Sequence, residues 1–403
     1  MSARAPLNWY LASTACHLIP GGIQQVLFPF LVAVVLHESA ERVGIAQMSW
    51  QLPALFLLLI GGVLGDRFDQ RRILVTTHLL AGIPPLVIAY FVFGEQLSFA
   101  MLFVYGLVGG VFTGLSQPAR DALVNRVAGD RIQRTVIVVM TMQWTLQIVG
   151  FAIASLADSV GVVPLMVFQS GVMMLGALAV MRVKVPAAAP VEKHEPPLHA
   201  IRSGLKEVSQ SAVIRPAVML NTAIGVFFAG GYVVLLPLIV RDVYAGTAVD
   251  ISQAFAANIL GTVVASLWML RRGGVARPGR AVFLALTGGC IVLLLAQLEL
   301  SLAGFYAVIF CWGLGGGVCI NMLRSIVQAA SSTSHRARVM SVFSLGMLGG
   351  MPIGSLLMGY CAAVFGALPT LAVPVIGVLA AVVYVYSTTD FAAVEIADLE
   401  PAA

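Results

Sequence analysis

The chain has 403 residues, of which 59% are hydrophobic and 10% charged, with a formal net charge of +5 and a mean hydropathy of +0.96. This lies far above the roughly half-apolar usage of soluble domains, excludes such a domain, and points to a chain that crosses a membrane many times. Backbone groups in lipid must be satisfied within their own segment, so the apolar runs are predicted to be helices. The short alternating strands of an outer-membrane barrel are missing.

In chain order, hydropathy and the Gly, Pro and charge punctuation predict twelve spans, near residues 8–36, 43–64, 73–94, 98–116, 135–157, 162–181, 217–240, 252–270, 281–298, 301–322, 339–361 and 368–387. The opening MSARAPLNWYLASTACHLIPGG leads into a span too long for a signal-peptide core, so the first helix is expected to be retained. If that helix runs from the cytoplasm outward, Arg42 and Arg241 are the only basic residues outside. The other 21 of the 23 Lys and Arg then fall inside, which predicts that both termini are cytoplasmic. Topology thus uses the positive charge, and no nucleic acid partner is needed to explain it. The five cysteines (Cys16, Cys290, Cys311, Cys319, Cys361) sit inside predicted helices without paired metal spacing and read as small apolar packers, so no metal or cofactor is expected.

One long polar break, from Arg182 to Arg215, separates the sixth span from the seventh. It opens Pro/Ala-rich and continues with Leu198, Ile201, Leu205 and Val208 at helical spacing, which reads as an amphipathic helix at the cytoplasmic surface or, alternatively, as a solvated linker. The expected organisation is an N-terminal six-helix bundle over 1–181, a linker over 182–215, a C-terminal six-helix bundle over 216–387 and a short acidic cytoplasmic tail over 388–403. The halves echo each other: Arg120, Arg134 and Gly150 recur as Arg324, Arg338 and Gly354 at an offset of 204, and Pro29 recurs as Pro237 at an offset of 208. A parallel duplication of this kind places a site between the halves, near the midplane.

Between the second and third predicted spans, GGVLGDRFDQRR concentrates charge between two lipid-like segments. It resembles the loop motif of the major facilitator superfamily, Gly-x-Leu-x-Asp-Arg followed by basic residues, and the six-plus-six layout is that family's. More narrowly, QPARDALVNRV and RARVMSVFSLGMLGGMPIGSLLMG resemble the enterobactin-exporter and secretion-type efflux branch. The resemblance implies an all-α integral membrane fold of twelve helices in two pseudo-symmetric bundles, present as a monomer. It also implies that Asp66 meets the N-terminus of the eleventh helix and an arginine below the fourth, best matched by Arg120 beside Asp121. With Arg67, Arg71 and Arg72 these residues form a cytoplasmic gate whose charge-assisted contacts break on inward opening; the alternative is that they serve only as topology anchors. The chain departs from the pattern at Asp69, where the motif has Gly, at Gln70, where it often has Arg, and at Phe151, where antiporters often carry Pro after the glycine.

Polar groups within hydrocarbon are costly and face a cavity or a partner. By helix midpoints, Gln24 and Gln25 of the first span and Gln143 and Gln147 of the fifth are expected near the midplane. His17 shares a face with Gln24, and Phe28 and Trp144 add aromatic surface. Gln51 and Asn258 are expected further out and Asn221 toward the cytoplasm; each amide has the alternative of a purely interhelical hydrogen bond. None of the eighteen Asp and Glu falls near a span midpoint, so the proton-coupling candidates are His17, Asp66 and the outer Asp158, or coupling is absent. Without a fixed midplane charge the expected cargo is neutral, zwitterionic or amphiphilic.

Two readings follow. The first is a bacterial inner-membrane secondary carrier, an antiporter where it follows the family, that exports a drug-like compound or siderophore. The second is a lipid carrier of the same fold that moves lysophospholipid or another single-chain lipid. No HExxH, GxSxG, P-loop or intramembrane Asp pair is present, so an enzyme is not expected.

Overall fold

The computed structural model describes residues 5–67, 69–128, 132–183, 197–272, 275–298, 300–332 and 335–395; at 5, 58–67, 133 and 197–200 it describes the backbone alone. The described residues hold helices and no strands.

The first span is α1, Ala5–Phe30, which continues through a π-turn at Leu31–Val35. The second is α2, Ala40–Arg67. The third is broken in two, α3, Gln70–Ala81, and α4, Ile83–Phe93. Sequence reading takes it as continuous, but Pro84 and Pro85 have no N–H to donate to the turn before them, and the chain breaks at Gly82. The fourth span, α5, covers Phe99–Ala128, twelve residues beyond the apolar run ending at 116, because SQPARDALVNRVA continues the helix past the apolar zone. Then come α6, Ile132–Ala154, the single turn α7, Ala157–Val160, and α8, Val162–Met181.

The polar break contains α9, Pro197–Gln210. Its expected apolar stripe is only partly used: Val208 is buried and Ile201 half-buried, Leu205 is exposed, and the side chain of Leu198 lies outside the described residues. The seventh span is α10, Ile214–Ala223, a π-turn at Ile224–Ala229, and α11, Gly230–Tyr244. After it come α12, Ala248–Arg272, α13, Pro278–Leu295, α14, Leu302–Ala330, α15, Arg336–Phe365, and α16, Ala372–Thr388. Eleven of these spans are long and apolar enough to cross a membrane, and α2, 28 residues long, makes twelve.

Backbone packing divides the chain into two units, one of residues 1–38, 49–197 and 246–252, the other of 39–48, 198–245 and 253–403. In the first unit α1 crosses α6 at Gly22 and Gly150, where a methyl group on Gly150 would lie 2.7 Å from the Gly22 Cα. Lipid offers no hydrophobic drive between helices, so such small-residue crossings supply the close van der Waals contact that holds them. At one end of this unit Tyr10, Leu74, Leu123, Val124 and Val180 close a buried apolar cluster joining α1, α3, α5 and α8. In the second unit α11 crosses α15 at Gly230 and Gly354, where a methyl on Gly230 would meet the Gly354 Cα at 2.6 Å. Phe228, Tyr232, Phe255 and Trp312 form an aromatic cluster within that unit.

Candidate functional site

The polar groups of the first unit converge on a cavity of about 70 Å³, lined by His17, Gln24, Trp50, His78, Tyr105 and Gln169 among others. Its position follows from helical spacing: His17 and Gln24, seven residues apart on α1, look the same way, and α3, α5 and α8 supply the facing walls. Gln24, 6% exposed, is the hub. Its Oε1 accepts from the Tyr105 hydroxyl and from Gln169 Nε2 at 3.0 Å. Phe28, Trp50 and Tyr105 stack tilted or edge-on with centroids 5.9–6.0 Å apart and form an apolar flank.

The His78 ring lies 5.9 Å from that of His17, at 57°. Its Nδ1 sits 2.8 Å from the Leu74 carbonyl oxygen, which can only accept, so Nδ1 carries the hydrogen and Nε2 presents a lone pair. Three buried polar atoms around the cavity have no partner in the structure: Gln24 Nε2, Gln169 Oε1 and His78 Nε2. A cavity of this size admits several water-sized groups; the three atoms sit closed off in its walls and come into reach only when the lining shifts. Among the described residues no carboxylate lines it. The described lining thus offers neutral amide, hydroxyl, phenol and imidazole groups for hydrogen bonding.

Gln25 turns away from Gln24, as adjacent helical residues must. It accepts from Gln147 Nε2 of α6 beside the glycine crossing. The four amides grouped in the sequence reading are thus distributed: Gln24 faces the cavity, Gln25 and Gln147 pair with each other, and Gln143 is exposed with Trp144 half-buried beside it. Gln51 is half-buried on α2. Asn221 and Asn258 belong to the second unit and spend their amide donors on backbone, Asn221 on Phe343 O at 2.7 Å and Asn258 on Ile309 O at 3.4 Å.

Of the expected gate, Asp66 and Arg67 end α2 and their side chains lie outside the described residues. Arg71 donates through Nε to Val180 O at 3.2 Å and through Nη2 to Met181 O, closing the C-terminus of α8 with a cation. Arg72 is exposed. Asp69, the departure from the motif glycine, caps α3 by accepting from Arg71 N at 2.9 Å, and Gln70 accepts from Arg126 Nη1 at 2.6 Å. Arg120 is buried on α5, donating to Gln117 Oε1 at 2.7 Å, while Gln117 Nε2 reaches both Asp121 oxygens at 3.2 Å. Asp158 on α7 accepts from Val249 N at 3.1 Å.

The sequence reading missed Trp50, His78, Tyr105 and Gln169. Gln169 met its own criterion, an amide in an apolar helix, and His78 is an imidazole in a predicted span; Tyr105 carried no such signal.

A family model described as transmembrane secretion effector matches residues 9–403. The chain is 22% identical to the enterobactin exporter EntS of Escherichia coli O81 (strain ED1a) over 348 residues, 84% of this chain and 80% of that one. It is equally similar, 22% over 355 residues, to the EntS of Shigella boydii serotype 18, with the same coverage. Among solved structures it resembles the nucleoside transporter NupG at TM-score 0.74 and 11% identity, covering 96% of this chain and 99% of that one. It also resembles a bacterial homologue of the human lysosomal transporter Spinster, in an inward-facing and unoccupied conformation, at TM-score 0.71 and 13% identity, covering 97% of each. At such identities the structural likeness shows the fold, that of the major facilitator transporters.

Proposed function

Because the chain belongs to the transmembrane secretion effector family of major facilitator transporters, we propose that it is an exporter of uncharged or amphiphilic small molecules in a bacterial inner membrane. That it is a membrane transporter of this type and not an enzyme rests on family and fold. The observation that carries the cargo class is the first unit's cavity, built from amide, imidazole, phenol and indole, with no carboxylate among the described residues. A buried ionised cargo finds no counter-charge among such groups, whereas a neutral hydrogen-bonding one finds donors and acceptors. A drug-like compound or a siderophore meets this description in the sense that it presents polar groups on an apolar body.

In this reading bundles over 1–181 and 216–387 alternate access, and the 182–215 segment links them. Both termini are cytoplasmic, and Asp66 with Arg120 forms the inner latch. Protons, where they couple, are carried by His17, Asp66 or Asp158. The exporter works as a monomer by antiport. The first test is thermal stabilisation of the pure protein by a panel of siderophores, lipophilic drugs and lysophospholipids; neutral and amphiphilic compounds should stabilise it and multiply charged metabolites should not. Stabilisation by the charged compounds alone would overturn the cargo class.

A second reading, a single-chain lipid carrier, is favoured by one observation: an apolar groove of about 620 Å³ on the exposed side of α4 and α5.

A further inference from the structure

The groove runs along α4 and α5 from Ser98 to Phe112 and is walled by Leu80, Ile83, Val87, Phe91, Met101 and Val104 among others. Fourteen residues of helix correspond to roughly 21 Å, the length of an extended hydrocarbon chain rather than of a compact drug. Its lining is almost wholly apolar, and Val104 and Val87 are 55% and 46% exposed on its rim. Its volume lies in the range of small-molecule sites.

The inner wall of the groove is also the outer wall of the polar cavity. Pro84, Tyr105 and Phe112 line both. Gly82 and the Pro84–Pro85 pair break the helix at this wall, and Ser170 of α8 holds the break by donating to Gly82 O. One side of a thin partition is therefore hydrocarbon-like, and the other holds three unpartnered, deeply buried polar atoms: Gln24 Nε2, a donor, and Gln169 Oε1 and His78 Nε2, acceptors. Gln24, Gln169 and His78 are 6%, 4% and 2% exposed.

We propose that cavity and groove become one site for a neutral, hydroxyl-bearing single-chain amphiphile when the shared wall of Pro84, Tyr105 and Phe112 parts, with the head in the cavity and the chain in the groove. A hydroxyl both donates and accepts, so a head with two or more hydroxyls satisfies all three orphan atoms. An ionised carboxylate only accepts; it leaves Gln169 Oε1 and His78 Nε2 unsatisfied and buries an unpaired charge. A quaternary ammonium donates nothing. A bilayer lipid resting against the groove would keep its head at the surface and leave the cavity unfilled, so the polar atoms distinguish a bound ligand from annular lipid. The inference rests on the lipid-carrier reading and names its substrate class.

The test is equilibrium binding of radiolabelled 1-monooleoylglycerol to the full chain in phospholipid nanodiscs. Saturable binding near one per protein is expected, not displaced by glycerol and displaced by oleate at least about tenfold less well than by the unlabelled ligand, as expected when buried polar groups are left unpaired. Gln169→Leu should weaken it by about tenfold or more. Val104→Trp fills the groove from an exposed position that folding does not depend on, and should abolish it with the melting temperature unchanged. No saturable binding, equal displacement by oleate, or binding unchanged in both variants overturns the proposal. Binding without monooleoylglycerol flux in liposomes leaves the site and removes the carrier reading; drug or siderophore flux without such binding removes the site and leaves the exporter.

Discussion

Gly22 of α1 and Gly150 of α6 touch so closely that a methyl on Gly22 would fall 3.0 Å from the Gly150 Cα and 2.5 Å from the Gln147 carbonyl oxygen. In the second unit Gly230 and Gly354 repeat the crossing, and these are the positions reached from Gly22 and Gly150 by the offsets of 208 and 204 seen in the sequence. The same backbone approach brings Gln147 within reach of Gln25.

The crossing predicts opposite outcomes for neighbouring residues. A methyl on Gly21 would meet nothing within 4 Å, so Gly21→Ala should leave the melting temperature in detergent unchanged or slightly raised. Gly22→Ala should lower it, over-packing costing about 1–3 kcal/mol. Equal melting temperatures for the two would refute the close crossing.

Arg71 and Arg72 are adjacent basic residues with different tasks. Arg71→Met removes the cation that closes α8 and should cost about 1.5–3 kcal/mol, the range for hydrogen bonds from a charged group. Arg72→Met, at an exposed position, should stay within about 0.5 kcal/mol of the parent in the same unfolding measurement.

Gln25→Ala and Gln147→Ala test the amide pair. A double-mutant cycle on unfolding free energy should give a coupling of about 0.6 kcal/mol and no more than about 1.7 kcal/mol, the span seen for interhelical hydrogen bonds in membranes. If the pair also meets cargo, the double variant changes substrate affinity more than expression; unchanged affinity would assign it to structure alone.

Asp66→Asn should leave the protein folded and slow its cycling, since the proposed latch would lose its charge but not its shape. Transport at the parent rate would leave Asp66 with a topological task only.

Hydropathy read the twelve spans because span length and apolar content are local properties. It missed the end of α5 because SQPARDALVNRVA is polar yet still helical outside the hydrocarbon. The break at Gly82 was legible in the prolines that follow, once their missing donors are counted. The site was legible in part. His17 and Gln24 show their shared face through a seven-residue spacing, but Gln24 meets Tyr105 and Gln169 across separations of 81 and 145 residues, which no local period records. Asp69 shows the same limit from the other side: as a departure from a family motif it looked anomalous, and only the start of α3 shows it to be a helix cap.

The most direct test of the transport proposal is flux through the purified protein in liposomes, using a neutral or amphiphilic compound that stabilises it, with and without an imposed proton gradient. Saturable flux that is slowed in Asp66→Asn is the predicted result, and its dependence on the gradient decides coupling. Flux no greater than in protein-free liposomes for every stabilising compound would contradict the account.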